Sequence, residues 1–114
     1  MEYIKGGKHH WLMQRITAIV LVPFILWFVI SVVSLTKMDY ASARDWIGST
    51  SVAITLISLI ILSFYHAQLG LQVIVEDYVH TKSARLAILV LMKCALIFVV
   101  ISAIFAVLKI ALGR

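Results

Sequence analysis

Apolar residues in this chain run in three long blocks instead of alternating with polar ones, and the second block begins at Trp46. A hydrocarbon core about 30 Å thick needs roughly 20 helical residues, and a helix pairs every backbone group internally in lipid. The pattern therefore predicts an all-α membrane protein with three transmembrane helices at about 16–36, 50–75 and 86–111. We expect the whole chain, 1–114, to form a single membrane-anchor domain.

Two short polar connectors, residues 37–45 and 76–85, join the predicted spans. Serine and aspartate are favoured helix N-caps, so we expect Ser42 or Asp45 to cap the second helix and Ser83 the third. The first apolar block is too long for a cleaved secretory signal, which predicts that it is retained as a helix.

The composition excludes an ordinary soluble domain. Hydrophobic residues make up 63% of the chain and charged residues 13%, against about 45–50% and about 25% in soluble domains. One cysteine, Cys94, allows neither an internal disulfide nor a cysteine metal site. The net charge of +5 comes from basic residues near the ends of apolar blocks, where they meet lipid headgroups, so we expect membrane lipid and no nucleic acid as a partner.

The basic residues favour a cytoplasmic N-terminus by a margin of one. The N-terminal segment and the second connector carry Lys5, Lys8, Arg15, Lys82 and Arg85. The opposite side carries Lys37, Arg44, Lys109 and Arg114.

His66 lies inside the second block, about 15 Å along the helix from Glu76 at 1.5 Å per residue. A lone polar ring at that depth is costly, which makes it a functional candidate. Three interpretations stay open: an interhelical hydrogen bond, a metal or haem ligand, and a proton relay. Ser63 and Gly70, one turn to either side, leave clearance for a porphyrin or for another helix. Because no other histidine lies in a span, a haem with two protein ligands would require a second chain.

Two further clusters lie where blocks begin or end. Asp77 and Tyr78 follow the second block at the depth of a quinone headgroup, where a tyrosine hydroxyl can bond a quinone carbonyl. Their alternative role is a solvated acid beside an interfacial anchor. Arg15, preceded by His9 and His10, either anchors lipid phosphates or pairs with haem propionates.

The run from His66 to Tyr78 reads His-Ala-x-x-Gly-Leu-x-x-Ile-x-x-Asp-Tyr. This motif resembles the small, cytochrome b556-type membrane-anchor subunit of succinate dehydrogenase (complex II). The segment 15–19 is similar to the Arg-x-Thr-Ala that opens the first helix in that family, and 45–48 to a Trp-x-Gly in its first connector. The resemblance covers about residues 9–112, and Glu76 departs from it as an extra acid before Asp77.

The resemblance implies that His66 supplies one axial ligand to haem b, and that a larger cytochrome b anchor subunit supplies the other. It implies that Tyr78 contacts the ubiquinone headgroup, with Asp77 as the neighbouring acid. The implied partners also include an iron–sulfur subunit and a flavoprotein subunit that oxidises succinate in the tricarboxylic acid cycle. This chain would be a non-catalytic subunit that anchors them and contributes to the quinone site.

The resemblance also implies that Arg15 lies near the haem propionates, with His9 on the same side, although His10 can be confused with it. It places the N-terminus on the cytoplasmic side of a bacterial inner membrane, or the matrix side of a mitochondrial inner membrane. Two alternatives are the anchor of a fumarate reductase and a three-helix membrane subunit without a redox role.

Overall fold

The apolar blocks form long continuous helices in the computed structural model of the chain, which describes residues 2–113, with side chains from residue 7 onward. Lys5 and Arg114, which enter the charge balance, have side chains outside the described residues. The described part contains four helices and no strand, which confirms the all-α prediction. The helices are α1 (Glu2–Leu35), α2 (Tyr40–Gly48), α3 (Thr50–Tyr78) and α4 (Lys82–Leu112).

Three of these helices are long and apolar enough to cross a membrane. The spans are Gly7–Leu35, Thr50–Tyr78 and Lys82–Leu112, with mean hydropathies of 2.8, 1.9 and 2.8. The first span begins nine residues earlier than predicted, the second ends three residues later, and the third is longer at both ends, because polar residues there continue the helix. A 29-residue span is about 43 Å long at 1.5 Å per residue, so its ends would reach the headgroup layers on both sides.

The first connector differs from the prediction, since most of it folds into the short helix α2. Asp39 is the N-cap of α2, and its carboxylate accepts a hydrogen bond from the Ser42 backbone N–H at 2.8 Å. Ser49 has extended backbone angles that separate α2 from α3, which leaves Trp46 in the connector. The predicted caps at Ser42 and Asp45 are therefore wrong.

The predicted cap of the last helix is also wrong by two residues. Thr81 precedes α4 as its N-cap, and Ser83 lies inside the first turn. The Arg85 backbone N–H donates to the Thr81 carbonyl at 2.9 Å, so the first helical hydrogen bond closes on the threonine.

Helix α3 is central, because it packs against both α1 and α4. Helix α2 contacts α3 and α4. The rings of Trp27 on α1 and Trp46 on α2 stack with centroids 5.8 Å apart, which ties the short helix to the first span.

Few apolar side chains are buried within the described part of the chain. The buried apolar residues are Leu21, Ala53, Leu59, Leu69 and Val107. Large side chains on α4 face outward, with Phe98 72% and Leu91 69% exposed. So small a core does not hold long helices together in water, and the exposed faces require lipid or other helices. The larger hetero-oligomeric bundle stays a prediction.

Replacing Asp39 with alanine should loosen the first turn of α2. Two hydrogen bonds lower the pKa of the Asp39 carboxyl. The Ser42 side chain makes the larger contribution and the Ser42 backbone N–H the smaller one. The cap is therefore at full strength at neutral pH and weakens as the pH falls through that lowered pKa and the carboxylate loses its charge. Hydrogen exchange at the Ser42 amide should speed up in Asp39→Ala but not in Asp39→Asn, which keeps an acceptor oxygen. Equal protection in all three proteins would contradict this capping role.

Candidate functional site

The polar centre of the fold is a contact between α1 and α3. The Thr17 hydroxyl lies 2.8 Å from Nδ1 of His66. Thr17 is only 4% exposed, and His66 is half-buried, so the hydrogen bond is largely shielded from the surroundings. An interhelical hydrogen bond, one of the three interpretations of His66, is thus present, and it leaves Nε2 for another partner.

Thr17 also reaches back to its own helix. Its hydroxyl lies 2.8 Å from the Met13 carbonyl oxygen and 3.1 Å from the Gln14 carbonyl oxygen. Hydroxyl contacts of this kind are common for threonine in helices and hold the side chain in one rotamer. The oxygen that faces His66 is therefore held by the backbone of α1.

His66 lines two cavities. The first has a volume of about 370 Å³ and is lined by Trp11, Gln14, Arg15, Ala18 and His66. The second has a volume of about 320 Å³ and is lined by Ala18, Leu21, Val22, Ile25, Leu26 and His66. Polar groups thus lie on the side of the imidazole nearer the N-terminus, and aliphatic groups lie on the side nearer the middle of α1.

Arg15 and His66, two of the predicted site residues, line the same cavity. The Arg15 guanidinium carbon lies 5.1 Å above the centre of the Trp11 ring, a cation–π arrangement that orients the charge. His9 is exposed, whereas His10 is half-buried. The Nε2 atom of His10 is buried without a hydrogen-bond partner among the described residues.

Gly70 faces α1, where the Gln14 side chain lies closest to it. A Cβ atom added to Gly70 would lie 3.7 Å from Nε2 of Gln14, an ordinary contact distance. A side chain of the neighbouring helix thus lies over Gly70, and an alanine would also fit at this distance.

Asp77 and Tyr78 lie together at the end of α3, and both are exposed, Tyr78 by 78%. Tyr78 follows His66 by 12 residues, which is about 18 Å along the helix. The two groups of predicted residues therefore occupy different levels of the molecule. Glu76, the extra acid, accepts a hydrogen bond from Gln72 at 3.2 Å.

Sequence reasoning did not identify Thr17, Trp11 or Gln14 as neighbours of His66. In the sequence, Thr17 stands out only as part of the segment 15–19 at the start of the first span. Its partner is 49 residues away, so the contact depends on how α1 and α3 pair. The depth of His66 was the available signal, because a polar ring in a span demands a polar partner on a neighbouring helix.

The chain is similar to known membrane-anchor proteins over most of its length. Residues 4–104 match the family described as succinate dehydrogenase/fumarate reductase transmembrane subunit. Three similar proteins are described as succinate dehydrogenase membrane anchor subunits, the two from Rickettsia as hydrophobic ones. No solved structure matches this chain.

The identities to these relatives are moderate, and the coverage is high. The protein from Rickettsia bellii is 36% identical over 90% of this chain and 82% of its own length. The protein from Rickettsia prowazekii is 26% identical over 93% of this chain and 85% of its own length. The protein from Reclinomonas americana is 30% identical over 78% of this chain and 77% of its own length.

Gly70→Ala should be tolerated, because the added methyl group would make an ordinary contact with Gln14. Gly70→Leu should separate α1 from α3 and lower the melting temperature of the purified membrane complex. A thermal melt of both variants beside the unmodified protein measures the effect. If Gly70→Ala were as destabilising as Gly70→Leu, something other than the Gln14 side chain would lie against this glycine.

Proposed function

This chain belongs to the family of succinate dehydrogenase/fumarate reductase transmembrane subunits, and from that premise we propose that it is the small membrane-anchor subunit of a succinate:quinone oxidoreductase. The observation that carries the proposal is the family match over residues 4–104, together with relatives described as succinate dehydrogenase anchors. In this role the chain is a non-catalytic subunit. A flavoprotein subunit oxidises succinate in the tricarboxylic acid cycle, and an iron–sulfur subunit passes the electrons to the membrane.

His66 is proposed as a residue that would bind the iron of haem b. The contact with Thr17 engages Nδ1 and orients the ring, and Nε2 is the nitrogen left for iron. The second ligand would come from the larger cytochrome b anchor subunit that the resemblance implies, and the two chains would then hold the haem together.

The residues around His66 fit an amphipathic porphyrin. Aliphatic side chains line one cavity beside the imidazole, and Arg15 lines the other. A guanidinium pairs well with carboxylates, so Arg15 is proposed to bind the propionates. His9, six residues earlier and exposed, is also proposed to lie on the propionate side.

Tyr78 and Asp77 are proposed as part of the ubiquinone site. Their exposure at the end of α3 supports a site that is completed by neighbouring subunits. The Tyr78 hydroxyl would donate a hydrogen bond to a quinone carbonyl oxygen, and Asp77 would orient that hydroxyl or accept its proton. When bound, haem b supplies one-electron redox chemistry at its iron.

The chain is a multi-pass membrane protein, and we place its N-terminus on the cytoplasmic side of a bacterial inner membrane. In an organelle the equivalent is the matrix side of the mitochondrial inner membrane. Arg15 would then lie on the same side as Tyr78, because α1 and α3 run in opposite directions. The charge balance supports this orientation.

His66→Ala should abolish the low-spin haem signal of the assembled complex. The measurement is a reduced-minus-oxidised absorbance spectrum after mild detergent purification through a tag on this chain. His80→Ala is the matched control, since His80 lies outside the three candidate spans. An unchanged spectrum in His66→Ala would remove it as the ligand. A complex with no haem absorbance and no flavoprotein, even in the unmodified protein, would favour the non-redox alternative.

Tyr78→Phe should lower the kcat/KM for ubiquinone roughly 2- to 10-fold, the loss expected for a neutral hydrogen bond of about 0.5–1.5 kcal/mol. Assembly and haem content should persist. Tyr65→Phe is the control, because Tyr65 lies on the same helix 13 residues earlier. Unchanged turnover and quinone affinity in Tyr78→Phe would exclude the hydroxyl from the site. Assays of fumarate reduction, with ubiquinol and with menaquinol as the electron donor, distinguish the fumarate reductase alternative from the proposed succinate:quinone oxidoreductase.

A further inference from the structure

We propose that Thr17 is a positioning residue that fixes the tautomer and ring orientation of His66, so that Nε2 presents its lone pair to the metal. This inference rests on the proposed haem ligation. The observation behind it is the interhelical contact of 2.8 Å between the Thr17 hydroxyl and Nδ1 of His66.

Proton counting assigns the direction of the hydrogen bond. A neutral imidazole carries one proton, and a ring that binds iron through Nε2 carries it on Nδ1. The Thr17 oxygen must then accept a hydrogen bond from Nδ1–H, and the Thr17 hydroxyl must donate its own proton to a different acceptor. The Met13 carbonyl oxygen at 2.8 Å is in place to receive it. The chain of donation therefore runs from His66 to Thr17 to Met13, with every proton used once.

The opposite direction of the hydrogen bond, from Thr17 to Nδ1, would prevent metal binding through Nε2. If Thr17 donated to Nδ1, the remaining ring proton would be on Nε2, which would then be unable to bind a metal. The Met13 carbonyl would lose its extra donor as well. Because Thr17 is 4% exposed, little solvent is present to compensate for either change.

The hydrogen bond between Nδ1–H of His66 and Thr17 also affects how strongly the imidazole would donate electrons to the iron. An acceptor on Nδ1–H gives the imidazole more negative character, which strengthens its bond to ferric iron and lowers the reduction potential of the haem. Thr17 would thus affect both haem retention and haem potential without touching the iron.

The test compares hydroxyl-free variants with a conservative one in the assembled complex. Thr17→Val keeps the shape of the side chain and removes the acceptor, and Thr17→Ala is the second variant if valine prevents assembly. Thr17→Ser keeps a hydroxyl. Thr55→Val is the matched control, because Thr55 makes a 2.8 Å hydroxyl contact to a carbonyl one turn earlier, that of Ser51, in α3.

The readouts are the rate of haem transfer to apomyoglobin and the midpoint potential of the haem. Loss of a neighbour that orients a metal ligand weakens metal binding by about 10- to 100-fold, so haem loss should accelerate by at least about tenfold in Thr17→Val. The midpoint potential should rise. Thr17→Ser should restore both values, and Thr55→Val should change neither.

These outcomes distinguish the positioning role of Thr17 from the ligand assignment of His66 on which it rests. If His66→Ala abolishes the haem signal but Thr17→Val and Thr17→Ala leave transfer rate and potential unchanged, the positioning role is overturned and the ligand assignment stands. If His66→Ala leaves the haem unchanged, the ligand assignment itself fails. Failure of Thr17→Ser to restore the potential would also overturn the role, since the hydroxyl would then not be the relevant group.

Discussion

An imidazole inside an apolar span must have a polar partner, and the hydrogen bond between Thr17 and His66 satisfies that demand. It joins α1 to α3 at 2.8 Å, with the threonine almost fully buried. Most other side chains on these helices are apolar and attract lipid about as well as they attract each other. A directional contact of this kind therefore contributes to how the two helices align, and the surroundings of His66 depend on that alignment.

The alignment gives the imidazole two unlike neighbours. Arg15 lines a cavity on one side, and aliphatic side chains of α1 line a cavity on the other. A ligand with an apolar ring and acidic arms matches this division. Tyr78 is exposed about 18 Å from His66 along α3, so the proposed quinone site lies at a different level from the imidazole. The proposed haem and quinone sites are therefore connected by a single rigid helix that also packs against α4.

The number of spans and their apolar centres could be predicted from the sequence because lipid thickness sets a minimum length for an apolar helix, whereas the polar turns that lengthen them could not. His66 could be singled out for the same reason, since its depth makes a polar ring conspicuous. Helix α2 could not be predicted, because Trp46 and Ile47 extend the apolar block and the break at Ser49 depends on two backbone angles. The Thr17 contact could not be predicted either, because a single sequence does not show which faces of two helices meet.

The account therefore depends on what the second nitrogen of His66 binds. A cryo-electron microscopy structure of the assembled membrane complex tests this most directly. The account predicts an iron atom bonded to Nε2 of His66, with a ligand from a second chain opposite and Nδ1 still within hydrogen-bonding distance of the Thr17 hydroxyl. Iron bound only by other chains, or a His66 ring that binds it through Nδ1, would contradict the account.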